Sequence, residues 1–256
     1  MGKNEQPVVR MSAITKQFLD VTANRDVSFD LYPGEICALL GENGAGKTTL
    51  MNILFGYYAC DAGEIFIKGE KVDLSAPKDA ISRGVGMIHQ HFALVPSQTV
   101  LENIIVGTAS RKGIFLDLAS ARKALVELQE RFGLQIDPDA RVWTLSVGEQ
   151  QKVEILKALY RDVDIMIMDE PTASLTHEEI DRLFGIVRRL THNQIAVLFV
   201  GHKLAEVLYK AQGESGAHAE GAEHQRQAKG DQRIRPPLVE PVQNLKQKRI
   251  HNRNRL

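Results

Sequence analysis

The stretch from Gly41 to Thr49 reads GENGAGKTT, with a glycine, four residues, and then Gly46, Lys47 and Thr48, the spacing of a phosphate-wrapping loop. Backbone N–H groups can close around an anion only where side chains do not intervene, which is the reading of Gly41, Gly44 and Gly46; Glu42, Asn43 and Ala45 complete the loop. Lys47 supplies a point charge for the terminal phosphates. The Thr48 hydroxyl, followed by Thr49, offers an oxygen to Mg²⁺, and a helix starting here turns its positive end to the same anion. The chemistry these residues predict is nucleotide binding.

Such a loop needs a strand before it and a helix after it. Ile36 to Leu40 is an unbroken apolar run, as in a strand buried on both faces, and Leu50, Ile53 and Leu54 recur at helical spacing before Gly56 ends the helix. Upstream, Val8 to Ile14 and Val27 to Leu31 alternate as half-buried strands do, with Pro33 and Gly34 turning the chain. Downstream, Gly63 to Lys68 is predicted as a strand. Pro77 opens a helix, and the strand Val85 to Ile88 ends just before Gln90.

From Thr99 to Tyr160 the periods become helical, with Ala121, Ala124, Leu125, Leu128 and Phe132 on one face and Gly133 as the stop. Ser146 and Glu149 form a capping box before a helix carrying Val153, Leu156 and Tyr160. The strand Asp164 to Asp169 ends in the acidic pair Asp169 and Glu170, closed by Pro171. A second capping box, Thr176 with Glu179, opens a helix that holds Arg188 and Arg189 near its negative end. Ile195 to Val200 is the last buried strand, and Gly201 and His202 follow. Strands and helices in alternation predict an α/β fold with a mostly parallel sheet, whose ligands gather at the strand ends.

The 256 residues are 43% hydrophobic and 25% charged with zero formal net charge, an ordinary globular composition that argues neither for nor against nucleic acid. Two cysteines, Cys37 and Cys60, suggest reduced thiols and a cytosolic setting rather than a disulfide framework. No run approaches the roughly 18 apolar residues of a membrane span. From Ala211 to Leu256 there is no aromatic residue and no apolar period, and nine basic residues stand against five acidic ones. This stretch is expected to be disordered and to arise from a truncation or a change of reading frame.

The motifs together resemble the ATP-binding cassette (ABC) ATPases over about the first 210 residues. HQHFALVP at His89 to Pro96, LSVGEQQKVEILKALYRD at Leu145 to Asp162, and DEPTASLT at Asp169 to Thr176 are most similar to cassettes of simple-sugar and nucleoside importers. The resemblance implies a P-loop NTPase core of RecA-like type, residues 1–91 and 161–210, with an antiparallel β part at the N-terminus. A helical subdomain is inserted at about 92–160, and residues 211–256 fall outside the family.

It further implies ATP and Mg²⁺ as cofactors, with Thr48, Gln90 and Asp169 at the metal. Glu170 would polarise the attacking water, and His202 would contact the γ-phosphate. Phe18 would stack on adenine. Ser146 and Gly148 belong to the signature motif, which contacts nucleotide held by an opposing cassette. Val147 and Glu149 depart from the commonest signature, Thr176 stands where many relatives carry aspartate, and Gly201 replaces a commoner serine.

The implied function is an ATP-hydrolysing subunit of an importer, peripheral to the cytoplasmic face of the membrane through permease subunits. Its other partners would be a second cassette and, indirectly, a substrate-binding protein; no nucleic acid is expected. The alternative is a nucleotide-binding remnant that forms no productive pair.

Overall fold

The structure is a computed structural model and describes residues 6–39, 41, 44–108 and 117–201. In chain order its elements are β1 (Val9–Phe18), β2 (Val21–Leu31), β3 (Ile36–Leu39), α1 (Lys47–Leu54), β4 (Ala62–Ile67), β5 (Glu70–Val72), α2 (Pro77–Ser82) and β6 (Val85–Ile88). There follow α3 (Val100–Ile105), α4 (Leu118–Phe132), α5 (Val147–Tyr160), β7 (Ile165–Asp169), α6 (His177–His192) and β8 (Ala196–Val200). The tail 211–256 and Leu40, expected as the end of a strand, lie outside the described residues.

Two sheets form from strands of different character. β1, β2, β4 and β5 pair antiparallel in the order β2-β1-β4-β5. Their buried positions alternate in part, Val9, Met11 and Ile14 on β1 facing Val27, Phe29 and Leu31 on β2. β5 was not expected from sequence: with Glu70 and Lys71 exposed and only Val72 buried, three residues carry no readable period.

The second sheet is parallel, in the order β3-β8-β7-β6, and every residue of its four strands is buried. This is the reason these strands read as unbroken apolar runs: both faces are covered. Phe55, Leu50 and Ile53 around α1 pack on one face with the antiparallel sheet, while α3, α4, α5 and α6 cover the other. Ile104, Leu125, Phe132, Leu156, Met166 and Phe199 belong to one continuous cluster, so the helices expected as a subdomain share their core with the parallel sheet.

The helix ends follow local chemistry. Pro77 occupies the first position of α2, where its missing N–H costs nothing, and Gly133 ends α4 in the left-handed conformation at φ 62°. Arg189 lies in the last turn of α6 as expected, but its guanidinium also donates to Phe132 O at 3.0 Å. It thereby satisfies a carbonyl at the end of α4 and ties two helices together.

Candidate functional site

Parallel pairing brings the carboxyl ends of β3, β8, β7 and β6 to one edge of the sheet. Leu39 is in register with Val200, Val200 with Asp169, and Met168 with Ile88. The loop before α1, the acidic pair after β7, and Gln90 after β6 therefore emerge side by side. Nothing in the separate motifs requires this; the strand order does.

The start of α1 lacks the caps that other helices carry. Gly46 caps α1 in the left-handed conformation at φ 83°, without a side-chain cap, and no acidic residue lies in the first turn of α1. By contrast α3, α5 and α6 each begin at Thr99, Ser146 or Thr176 with a glutamate three residues on, so the N–H groups of the cap and of the third helical residue are already paired. The uncapped N–H groups of α1 leave its positive end for an external acceptor.

A Cβ at Gly46 would lie 2.1 Å from Ala23 O, so the loop presses directly on β2, whereas a Cβ at Gly44 would meet nothing within 4 Å. At Gly41 the nearest atom would be Ala45 Cβ at 3.4 Å, an ordinary close contact, so among these glycines only Gly44 and Gly46 are required by backbone conformation. The Lys47 ammonium donates to Gly41 O at 2.7 Å, spanning the loop from within, and Lys47 is buried. Ala45 and Thr49 are half-buried and Thr48 is exposed on the first turn.

Asp169 is buried at the end of β7, and its carboxyl is pushed above the usual carboxylate range by burial and by neighbouring Glu170, with the Lys47 charge opposing. Glu170 is held at φ 46°, a conformation uncommon for a residue with a side chain, and its N–H donates to Val200 O at 2.8 Å. That turn carries its carboxylate toward Gln90, whose Nε2 donates to Glu170 Oε2 at 3.3 Å. Among the described residues no group of three or more histidine, cysteine, aspartate or glutamate side chains could hold a metal. The hydroxyl of Thr48, the amide oxygen of Gln90 and the carboxylate of Asp169 are nonetheless the all-oxygen set that suits a hard cation such as Mg²⁺.

Phe18 lies at the end of β1 with 39% exposure, its ring edge-to-face with Tyr58 at 5.3 Å and beneath the Lys16 ammonium at 5.4 Å. One face is thus engaged by the protein. Ser146 caps α5: its Oγ donates to Glu149 Oε2 at 2.9 Å and accepts the Glu149 N–H at 3.4 Å. Gly148 is packed so closely that a Cβ there would stand 2.7 Å from Glu179 Oε1, which brings the starts of α5 and α6 together.

Glu42, Asn43 and His202 lie outside the described residues. One neighbour of the loop was missed in sequence. Asn24, 1% exposed on β2, donates from Nδ2 to Gly46 O at 3.1 Å while its Oδ1 has no partner among the described residues. A polar residue inside an alternating strand gives no sign that a loop will fold onto it.

Comparison with known proteins agrees with this geometry. The sequence profile described as ABC transporter matches residues 24–173. The chain is 50% identical over 202 residues to a nucleoside import ATP-binding protein, NupA, of Lactococcus lactis subsp. cremoris, covering 79% of this chain and 40% of that protein. It is 44% identical over 202 residues to a ribose import ATP-binding protein, RbsA 3, of Rubrobacter xylanophilus, covering 79% and 41%. The chain therefore spans about two fifths of the length of these curated relatives.

Among solved structures, a nucleotide-free ATP-binding cassette from an ABC transporter superposes with a TM-score of 0.70 at 26% identity, covering 80% of this chain and 85% of that one. The dimeric bacterial ABC transporter cassette MJ0796 superposes with a TM-score of 0.64 at 25% identity, covering 78% and 89%. With the phosphate loop, the acidic strand end and the matched profile in one order and one fold, the chain belongs to the ABC transporter family as an ATP-binding cassette.

Proposed function

We propose that this chain binds ATP with Mg²⁺ and hydrolyses it to energise import of simple sugars or nucleosides. The observation that carries the reading is the single sheet edge at which the uncapped start of α1, Gln90, Asp169 and Glu170 emerge together. The import ATP-binding proteins among its relatives support the transport role.

In this reading the loop from Gly41 to Thr49, with Glu42, Asn43 and Ala45, surrounds the phosphates, and the Lys47 ammonium leaves Gly41 O to meet them. Phe18 offers the face not taken by Tyr58 and Lys16 to adenine. Thr48, Gln90 and Asp169 would hold Mg²⁺, which when bound would offset the negative charge of the phosphates. Glu170 orients the attacking water and accepts its proton, a general-base role suited to a carboxylate fixed by its own turn. His202, two positions beyond β8 in the sequence, contacts the terminal phosphate. Ser146 and Gly148 face the nucleotide of a second cassette.

The division into a core of residues 1–91 and 161–210 with helices at about 92–160 belongs to the same proposal. So do permease subunits as the membrane partners, a substrate-binding protein acting through them, and a position at the cytoplasmic face of the membrane. Among the described residues no helix is long and apolar enough to cross a bilayer.

Binding and turnover test the site separately. Lys47→Ala is expected to abolish tight ATP binding in a calorimetric titration, whereas Glu170→Gln keeps ATP binding and slows phosphate release at least about a hundredfold. Wild-type affinity in the first variant, or unchanged turnover in the second, would remove those residues from their roles.

A further inference from the structure

The segment after Gln90 is held by polar side chains that the nucleotide chemistry does not use. Lys157, on α5, donates from Nζ to Ala93 O at 2.8 Å. One turn earlier on the same helix, Glu154 is 7% exposed and faces the Ala93 N–H, while its buried Oε1 has no hydrogen-bond partner among the described residues. Residues three apart share a helix face, so α5 presents an acid and a base to the two sides of one peptide residue. Asn103 on α3 then grips Val95, its Oδ1 accepting the Val95 N–H at 2.7 Å and its Nδ2 donating to Val95 O at 3.1 Å.

This arrangement is costly for a merely structural joint. Burial raises the Glu154 carboxyl and lowers the Lys157 ammonium, and the two charges offset each other only in part. Ala93 itself is exposed, so its own side chain anchors nothing, and the apolar anchor of the segment is the neighbouring Leu94, packed against the core. Ala93 lies three positions beyond Gln90, a span of about 10 Å at most when extended. The same α5 begins at Ser146, two helical turns before Glu154.

We propose that Glu154 and Lys157 are positioning residues that fix Gln90 at the metal by clamping Ala93 to α5. The inference rests on the reading of Gln90 as an Mg²⁺ ligand. It adds that the placement of Gln90 follows the placement of α5, so that one rigid helix links the Ser146 end of the molecule to the metal side of its own nucleotide site.

The test is the affinity of the full chain for ATP measured by calorimetry with Mg²⁺ and again with a chelator, in wild type, Gln90→Ala, Lys157→Met, Lys157→Arg and Glu154→Leu. Lys157→Met and Glu154→Leu are expected to lose about tenfold or more of the gain in affinity that Mg²⁺ provides, as supporting residues around metal ligands do, with metal-free affinity unchanged. Lys157→Arg, which can still donate to Ala93 O, is expected to keep most of it. A full Mg²⁺ gain in both clamp variants beside its loss in Gln90→Ala overturns the clamp alone. A full gain in Gln90→Ala overturns the reading of Gln90 and the clamp with it. Loss of metal-free affinity in the clamp variants marks a general structural role and overturns the assignment as well.

Discussion

Gly46 shows how one residue can carry two constraints at once. Its φ of 83° favours a residue without Cβ, and the space where a Cβ would sit is already taken by Ala23 O and by the Asn24 amide. Gly44 shares the φ but faces open space. Gly46→Ala is therefore expected to weaken ATP binding more than Gly44→Ala. Backbone strain of roughly 1–3 kcal/mol is common to both variants and corresponds to about fivefold to 150-fold in affinity, and the clash with Ala23 O and Asn24 adds to it in Gly46→Ala, as read by calorimetric titration. Equal losses in the two variants would show that contact with β2 does not matter. The glycines were legible because their spacing is local, while Asn24 was not, since its role depends on a loop 22 residues away folding onto β2.

Three helices, α3, α5 and α6, start with the same capping box, in which Glu102, Glu149 and Glu179 accept hydrogen bonds from the backbone and hydroxyl of Thr99, Ser146 and Thr176. These bonds hold all three carboxyls below the usual glutamate range. A folded-state pKa lowered in this way gives stability that is complete above the ordinary glutamate value. It is lost as pH falls through the lower, folded-state value. Thermal melting is therefore expected to drop as pH is lowered from about 5 to 3. Replacing the three glutamates with glutamine, which can still accept the bonds, should flatten the drop without abolishing it, because Asp61, Asp79 and Asp139 are also held low. An unchanged profile would remove the boxes as its source. The boxes at Ser146 and Thr176 were readable because a capping box spans four residues. β5 was not, because three residues with one buried side chain carry no pattern.

Across the whole molecule, β8 joins the two halves of the site. It pairs with β3, which leads into the phosphate loop, and with β7, which ends at Asp169. Phe199 on β8 is fully buried and stacks on Phe184 of α6 at 5.6 Å. Phe199→Ala is expected to cost about 3–5 kcal/mol in a urea unfolding curve, the range for a large aromatic removed from a core. Nucleotide binding should fail over the same range of denaturant as the fold, since β8 pairs with both the strand before the loop and the strand that ends at Asp169. Binding that survives while the sheet unfolds would separate the loop from the sheet.

Local patterns alone determined the phosphate loop, the capped helices, the buried strands and the acidic pair, and with them the family resemblance, because each is written within about a dozen consecutive residues. They could not say which strand lies beside which. Four strands buried on both faces look alike, and hydrophobic burial has no direction that selects a neighbour. Only the tertiary structure decided the order β3-β8-β7-β6, which put Gln90 against Glu170, and the packing of the antiparallel sheet and of α5, which put Asn24 under Gly46 and Lys157 beneath Ala93. These contacts join residues 80, 22 and 64 positions apart, so they arise from packing of whole elements and not from any spacing along the chain.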